Sequence, residues 1–430
     1  MIHALRQGSE TCKGHCLRLT RNNRSINSTV VLHTNHPYID FVMSLTPWGM
    51  KTGRDAVIQL LSYIGSPQNT LNVFHVTGSN GKWSVCQMIS QVLYKQFRKK
   101  VGLFTSPHLI DITERFQING KPISHTKLNT YYKKVLALSK KYTIELSFFE
   151  IQVVSMILYF SEENVDYIVV EVGLWWLYDG TNIFDHPLAC FITSVTLEHT
   201  YLLGKTRTSV LKNKLGIVKE WSTLYTHLQN NIVKKYCQKY WAHLAPVVKT
   251  KDTWVITNLP GNHQQKNALL VLQSLQDLWF ETEGILNWLT HIYNPGRYEW
   301  LSPTLFVDSA NTHENVRFLK NMLQGDIRDS IIIFGTTQEE SEYAARLANI
   351  FPNQKKILVD GFCERALPCS EYSHLVPHSV IWHLDTDEWR DLITNITQQT
   401  KKSQQYILYG SIYLVGYTMW LSRYNIFAKH

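Results

Sequence analysis

The apolar pattern of residues 71–98 changes from that of a strand to that of a helix across a glycine-rich turn. A short apolar run at 73–76 precedes the turn, and apolar residues recur at three- and four-residue spacing after it. That spacing is typical of an amphipathic helix, so the segment is predicted to be strand, loop and helix. The residues of the helical stripe are Val85, Met88, Ile89, Val92, Leu93 and Phe97.

The same alternation continues along the chain in two series. The first predicts strands at 100–105, 167–172 and 189–194, and the second begins after the break Asn294-Pro295-Gly296. Alternating strands and helices favour βαβ units on parallel sheets, which is an α/β fold class. The second series predicts strands at 304–308, 330–335, 356–360 and 405–409, helices at 314–323 and 342–350, and a closing helix after a glycine turn.

These patterns divide the 430 residues into three parts. We expect a basic, flexible leader at 1–39, a larger domain at 40–295 and a smaller domain at 296–430. The composition is 44% hydrophobic and 18% charged, which excludes a disordered acidic protein. No run reaches the roughly 18 apolar residues of a membrane helix, so we expect no membrane partner.

The net charge of +9 and the seven scattered cysteines bear on location and partners. An odd, dispersed set of cysteines favours a reducing compartment over a secreted disulfide framework. We therefore expect a cytoplasmic protein, with mitochondrial targeting by the basic leader as the alternative. The leader supplies five basic residues against one acid. Attraction of anionic substrates explains the surplus as well as a nucleic-acid partner would, and no interleaved aromatic and basic motif is present, so no nucleic-acid partner is expected.

The turn after the first strand has the composition of a phosphate-binding loop. Glycines allow backbone N–H groups and the helix start to face an anion, and a lysine neutralises phosphate charge. A serine at the helix start can reach Mg²⁺ or a phosphate oxygen. The alternative interpretation is an ordinary Gly/Asn turn. The strand before the turn and the helix after it favour the phosphate-binding loop over this alternative. The residues of this loop are Gly78, Ser79, Asn80, Gly81, Lys82 and Ser84.

The chain resembles the folylpolyglutamate synthase/dihydrofolate synthase family of the Mur ligase superfamily, over motifs that run in order from about Tyr38 to the C-terminus. They include FTSPHL at 104–109, ERFQINGKPI at 114–123, EVGL at 171–174 and DGTN at 179–182. Further matches lie at 198–206, 214–217, 261–268, 295–297 and 410–416. The resemblance implies a P-loop Mur-ligase-type central domain with a parallel sheet and a smaller Rossmann-like C-terminal α/β domain.

The resemblance also implies a reaction. Members of the family use ATP and Mg²⁺, with Mn²⁺ as a possible substitute, to join L-glutamate to folate or dihydropteroate. The acceptor carboxylate is first phosphorylated to an acyl phosphate, and the amine of glutamate then displaces phosphate. Such a site depends on positioning and on cations that neutralise phosphate. A monomer is expected.

Site residues follow from the resemblance, position by position. Lys82, Lys214, His199 and Arg297 are the implied catalytic residues, and Lys214 matches a carbamylated lysine. Nucleotide contacts are implied for Asn267, Arg297 and Asp308 in addition to the loop residues. The implied metal ligands are Ser106, Glu150 and His199, and the implied substrate contacts are Ser411, Arg115 and Asp179.

Each of these residues also has a plain structural interpretation. Glu150 could be an acid at a helix start, His199 a loop histidine, Lys214 a solvated helix residue and Asp308 part of a turn after a strand.

The chain departs from the family pattern inside the implied site. Trp83 stands where the family's loop has a glycine between the lysine and the serine, Trp175 and Trp176 replace a Gly-Gly pair, and Leu177 replaces an arginine. Asn311 stands where the family has histidine. Two hypotheses therefore stay open: an active ligase, or a homologue that binds ATP or folate without ligation.

Overall fold

A computed structural model of the protein describes residues 18–19, 32–33, 35–45, 53–173, 178–197, 204–246, 256–323, 327, 329–383, 387–398 and 404–427. Two short strands, β1 (Arg18–Leu19) and β2 (Leu32–His33), form an antiparallel pair. The remaining elements build two sheets that lie one after the other along the chain.

The first sheet has eight strands in the order β10-β9-β8-β3-β7-β4-β5-β6. The strands from β10 to β4 are parallel, and β5 and β6 add an antiparallel edge. Their bounds are β3 Val73–Thr77, β4 Val101–Phe104, β5 Phe116–Ile118, β6 Lys121–Pro122, β7 Tyr167–Glu171, β8 Ala189–Ile192, β9 Thr223–Thr226 and β10 His243–Leu244.

Helices cover both faces of this sheet. One face packs against α1 (Pro37–Ser44), α2 (Gly53–Ser62), α4 (His125–Tyr142) and α5 (Phe148–Glu162). The other face packs against α3 (Lys82–Gln91), α8 (Asn262–Asp277) and α9 (Thr282–Leu289). Helices α6 (Arg207–Lys214) and α7 (Asn231–Lys239) cover a satellite cluster near β8 and β9. Every residue of β3 is buried, as expected for a central parallel strand with helices on both sides.

The second sheet has six strands in the order β11-β12-β16-β13-β14-β15, parallel except at the β11 edge. The strands are β11 Glu299–Trp300, β12 Leu305–Asp308, β13 Ile331–Phe334, β14 Lys356–Asp360, β15 Ser379–His383 and β16 Tyr406–Tyr409. The helices are α10 His313–Met322, α11 Ala344–Ala348, α12 Asp387–Gln398 and α13 Ile412–Phe427.

The predicted α/β class and the parallel sheets are confirmed, and the elements differ from expectation in detail. Of the helix predicted at 342–350, only Ala344–Ala348 is α-helical, because its first two residues belong to the 3₁₀ turns Gln338–Tyr343. The sequence analysis missed the β5–β6 hairpin and the strands β9, β10 and β15. The predicted boundary near 296 falls between α9 and β11, and α1 begins inside the segment assigned to the leader. The domain limits themselves stay a prediction.

Candidate active site

Two glycines shape the loop between β3 and α3. Gly78 has φ 150° and Gly81 has φ 89°, and both lie in the region that favours glycine. A Cβ at Gly78 would lie 1.8 Å from Thr193 Oγ1, and one at Gly81 would lie 2.7 Å from Asn267 Nδ2. The loop therefore requires glycine at both positions, for its backbone angles and for the close approach of its neighbours.

The segment after β8 holds this loop in place. Ser79 N–H donates to Ser194 O at 2.9 Å, and Asn80 N–H donates to Ser194 Oγ at 2.9 Å. The Thr193 hydroxyl donates to Asn80 O at 2.6 Å, and Thr196 N–H donates to Ser79 Oγ at 3.0 Å. The loop conformation is thus set by residues more than 100 positions away in sequence.

Helix α3 begins directly after the loop without a side-chain cap. Its N-cap is Gly81, which has no side chain to accept from the first N–H groups of the helix. The Lys82 ammonium donates to Gly78 O at 3.0 Å, so its positive charge lies over the loop. An uncapped helix start beside a lysine is a site for an anion.

Ser84 lies in the first turn of α3 and is buried. Its Oγ accepts from Gln264 Nε2 and from Asn294 Nδ2, each at 3.1 Å. Asn267 Nδ2 donates to Gln264 Oε1 at 3.1 Å, so helix α8 brings Asn267 to the same group. The structure therefore places two of the predicted nucleotide contacts, Ser84 and Asn267, beside the loop.

Glu171 is the acid that the structure places beside this loop, and the sequence analysis gave it no role. It ends β7, which lies between β3 and β4, and its Oε2 accepts from Ser106 N–H at 3.0 Å. Burial raises the pKa of Glu171, while Lys82 and the Ser106 hydrogen bond oppose that shift. An acid at the carboxyl end of a buried strand, next to the strand that carries the loop, was the signal that could have identified it.

Arg297 brings positive charge from the second domain to this acid. Its guanidinium favours the ionised forms of Glu171 and of Asp308, although burial raises the pKa of both carboxyls. Asp308 accepts from Tyr298 N–H at 2.8 Å and from Ala310 N–H at 2.7 Å. Arg297 thus lies within electrostatic range of acids in both domains.

Arg115 is a buried cation that also favours the ionised form of Glu171. Its Nε donates to His108 Nδ1 at 3.0 Å, and its Nη1 donates to Gln152 Oε1 at 2.9 Å. Burial lowers the pKa of His108 to about 3, with Arg115 adding to the shift, so the imidazole is neutral and accepts this hydrogen bond. The guanidinium also lies 5.5 Å from the centre of the Phe148 ring. These contacts hold the Arg115 charge in one orientation.

Two predicted substrate and metal residues have structural contacts of their own. Asp179 Oδ1 accepts from Thr181 N–H at 3.0 Å and from the Thr181 hydroxyl at 2.6 Å. Glu150 accepts from Ser147 N–H at 2.7 Å in the capping box that starts α5. Their roles as substrate contact and metal ligand stay predictions.

The other predicted residues are placed as follows. Lys214 is fully buried in the last turn of α6, which disagrees with the alternative of a solvated lysine. Ser411 is buried before α13, and its Oγ accepts from Tyr413 N–H at 3.2 Å. Asn311 Nδ2 donates to Glu340 Oε1 at 3.5 Å. His199 and the tryptophans at 175 and 176, with Leu177, lie outside the described residues.

Trp83, which raised the question of activity, packs against an apolar cluster of the second domain. No group of three His, Cys, Asp or Glu side chains among the described residues could hold a metal ion, although the Glu171 carboxylate lies at the backbone N–H of Ser106. No helix in the described part of the chain is long and apolar enough to span a membrane.

The chain is similar in sequence to known folylpolyglutamate and dihydrofolate synthases. The dihydrofolate synthase/folylpolyglutamate synthase of Bacillus subtilis is 26% identical over 413 residues, which is 86% of this chain and 94% of that protein. The dihydrofolate synthetase of Saccharomyces cerevisiae is 33% identical over 205 residues, 46% of this chain and 48% of that protein. The match therefore spans about half the length of the yeast relative. No family model matches the chain.

A solved structure shows the same fold. The bifunctional folylpolyglutamate synthase/dihydrofolate synthase of Yersinia pestis, complexed with AMPPNP and Mn ion, superposes with a TM-score of 0.76 at 22% identity. The superposition covers 89% of this chain and 96% of that one. The two-domain arrangement predicted from sequence thus has a close counterpart in three dimensions.

Proposed function

This chain belongs to the folylpolyglutamate synthase/dihydrofolate synthase family, and we propose that it is an ATP-dependent ligase that adds L-glutamate to a folate-type carboxylate. One observation carries the proposal: the glycine loop, the Ser106–Glu171 pair and Arg297 converge at the junction of the two domains. A phosphate-binding loop alone would fit any nucleotide-binding protein. The added carboxylate and the arginine from the other domain favour phosphoryl transfer.

The proposed reaction has two steps. A carboxylate oxygen of the acceptor attacks the γ-phosphorus of ATP, ADP leaves, and an acyl phosphate forms. The amine of L-glutamate then attacks the carbonyl carbon, loses a proton and expels phosphate, which leaves an amide. Lys82 and the uncapped start of α3 would hold the phosphates of ATP during the first step.

Arg297 would stabilise the negative charge that develops on the transferred phosphoryl group. The Glu171 carboxylate and the Ser106 hydroxyl are oxygen donors of the kind that Mg²⁺ or Mn²⁺ prefers, and the two residues are neighbours through the Ser106 N–H, so they fit a divalent cation. Such an ion, when bound, neutralises phosphate charge. The family resemblance assigns the carboxylate ligand to Glu150, whereas the contact with Ser106 favours Glu171.

We assign the two organic substrates by their charge. Arg115 is a fixed cation beside Glu171 and can orient the carboxylate of the acceptor. Ser411 precedes α13 and is the proposed contact for L-glutamate. Folate and dihydropteroate both carry the required carboxylate, so either can be the acceptor. A monomeric, cytoplasmic protein without a nucleic-acid partner stays our expectation.

The proposal is tested by ADP release from the purified full-length chain with ATP and Mg²⁺. We expect release that depends on both L-glutamate and an acceptor, with dihydropteroate, tetrahydrofolate and its diglutamate compared in parallel. No glutamate-dependent release with any acceptor would contradict ligation. AMPPNP binding without turnover would then favour the binding-protein alternative, and a lack of AMPPNP binding would remove both.

A further inference from the structure

The second domain and the linker that leads to it contact three side chains between positions 80 and 84. Asn315, in α10, donates from Nδ2 to Asn80 Oδ1 at 3.0 Å. Asn294, in the linker, donates to Ser84 Oγ at 3.1 Å. Between these polar contacts, Trp83 packs against the apolar cluster of the second domain. The loop that would hold the nucleotide is therefore in direct contact with the other half of the molecule.

The apolar part of this contact involves more than Trp83. Leu109 and Ile110, from the segment after β4, join the same cluster. A Cβ added at Gly416 in α13 would lie 1.7 Å from Leu109 O, so the two backbones touch at this point. The members that the second domain contributes include Leu305, Val307, Ile333, Val359, Leu408 and Leu414.

Apolar packing, and not a hydrogen bond, holds the indole of Trp83. Its Nε1 atom is buried and has no hydrogen-bond partner among the described residues. A buried donor without a partner costs about 1–3 kcal/mol, so the apolar packing of the indole must outweigh that cost. Phenylalanine, which packs similarly and has no N–H group, should therefore preserve the contact.

We propose that Trp83 is a positioning residue that couples the nucleotide loop to the second domain. By holding α13 and the Leu109 segment against the first turn of α3, it keeps Ser411 and Arg297 close to the phosphate loop. Nucleotide bound at the loop and the closed arrangement of the domains then favour each other, because coupling between two sites is reciprocal. The effect of Trp83 on nucleotide binding rests on the proposed function, whereas its contact with the second domain does not.

The test compares Trp83→Ala with Trp83→Phe and with Trp279→Ala in the full-length chain. Trp279 is the matched control because its side chain is 95% exposed and belongs to none of the apolar clusters. AMPPNP affinity is measured by calorimetry, and amide hydrogen exchange is followed in segments 106–110 and 411–417. Circular dichroism verifies the fold of each variant.

We expect Trp83→Ala to weaken AMPPNP binding by about tenfold, within the usual range of coupling between sites, and to speed exchange in both segments. Trp83→Phe and Trp279→Ala should stay within twofold of the wild-type chain. Where Trp83→Ala fails to fold, Trp83→Leu gives the same comparison with a smaller apolar loss.

Three results would overturn the inference. Tighter AMPPNP binding by Trp83→Ala would show that the indole obstructs the phosphates, and unchanged binding with unchanged exchange would show that it couples nothing. Failure of Trp83→Phe to restore both readouts would contradict a packing role. If the wild-type chain binds no AMPPNP, the proposed function fails, and hydrogen exchange still decides whether Trp83 holds the two domains together.

Discussion

The starts of helices α3 and α5 look alike in the sequence but differ in the structure, because a side chain caps α5 and none caps α3. Both helices follow a turn, and both carry a residue that the family resemblance assigns to the site. The N-cap of helix α3 is Gly81, which provides no side-chain cap, and Lys82 lies over the preceding loop. The N-cap of helix α5 is Ser147, which forms a capping box with Glu150.

The presence or absence of a side-chain cap distinguishes a helix start that can bind a ligand from one whose polar residues complete the fold. A helix start leaves several N–H groups without partners, and either a side chain or a ligand must satisfy them. At α5 the chain supplies both partners itself, whereas at α3 no side chain caps the first N–H groups. The polar residue at a helix start is thus evidence for a binding site only when it does not serve as the cap.

Replacement of Lys82 by alanine gives the largest effect that this comparison predicts. The variant removes the lysine charge at the uncapped helix start, so we expect glutamate-dependent ADP release to fall by about 100- to 1000-fold. Lys121→Ala, at an exposed position in β6, is the control and should keep wild-type activity. Activity of Lys82→Ala within threefold of wild type would refute an anion site at α3.

The two acids Glu171 and Glu150 can be compared directly by replacement with glutamine. Glu171→Gln retains an acceptor for Ser106 N–H but loses the negative charge, so ADP release should fall about 100-fold. Thermal stability should not fall, since burying an uncharged amide costs less than burying a carboxylate.

Glu150→Gln is the matched variant, because glutamine also completes a capping box. We expect its activity to stay within threefold of wild type. A larger loss of activity in Glu150→Gln than in Glu171→Gln would reverse the assignment and support Glu150 as the metal ligand.

The fold and the phosphate loop could be predicted from sequence because their signals are local. Alternating strands and helices leave a periodic apolar pattern, and Gly78, Gly81 and Lys82 lie within five residues. The β5–β6 hairpin was missed because Pro122 and the short, half-exposed strands give little pattern.

Other features of the site depend on contacts between distant parts of the chain. Glu171 meets Ser106 because β7 lies beside β4, and strand order cannot be read from the sequence of either strand. The position of Trp83 against the second domain is likewise a property of packing. Sequence alone therefore identified Trp83 as unusual and left its contact unknown.

Removal of the α5 cap should affect stability and not activity. Ser147→Ala loses the side chain of the capping box, which is worth about 1 kcal/mol of unfolding free energy. Urea unfolding measures this loss, and the AMPPNP affinity of the variant should equal that of wild type. A weakened affinity would mean that the start of α5 belongs to the nucleotide site.

The smallest predicted effect concerns a third helix start, the 3₁₀ turn Ile112–Arg115, which Asp111 and Glu114 cap. Asp111 Oδ2 also pairs with His125 Nε2 at 2.8 Å, which raises the pKa of His125 above 6.5 and holds the pKa of Asp111 below 3.8. The histidine contribution to stability is complete below pH 6.5 and is lost as the pH rises through the raised pKa. The aspartate contribution is present above pH 3.8 and is lost as the pH falls through the lowered pKa.

The Asp111–His125 pair therefore stabilises the fold most between pH 3.8 and pH 6.5, by about 0.5–1 kcal/mol for a partly exposed ion pair. His125→Gln removes the charge of the pair while the Asp111 cap stays. Its unfolding free energy should differ from that of wild type at pH 5.5 and approach it at pH 9. A difference of equal size at both pH values would show that the loss of stability comes from the packing of His125 and not from its charge. The capped start of the turn Ile112–Arg115 would then depend on the side chain of His125 as well as on its own cap, unlike the start of α5.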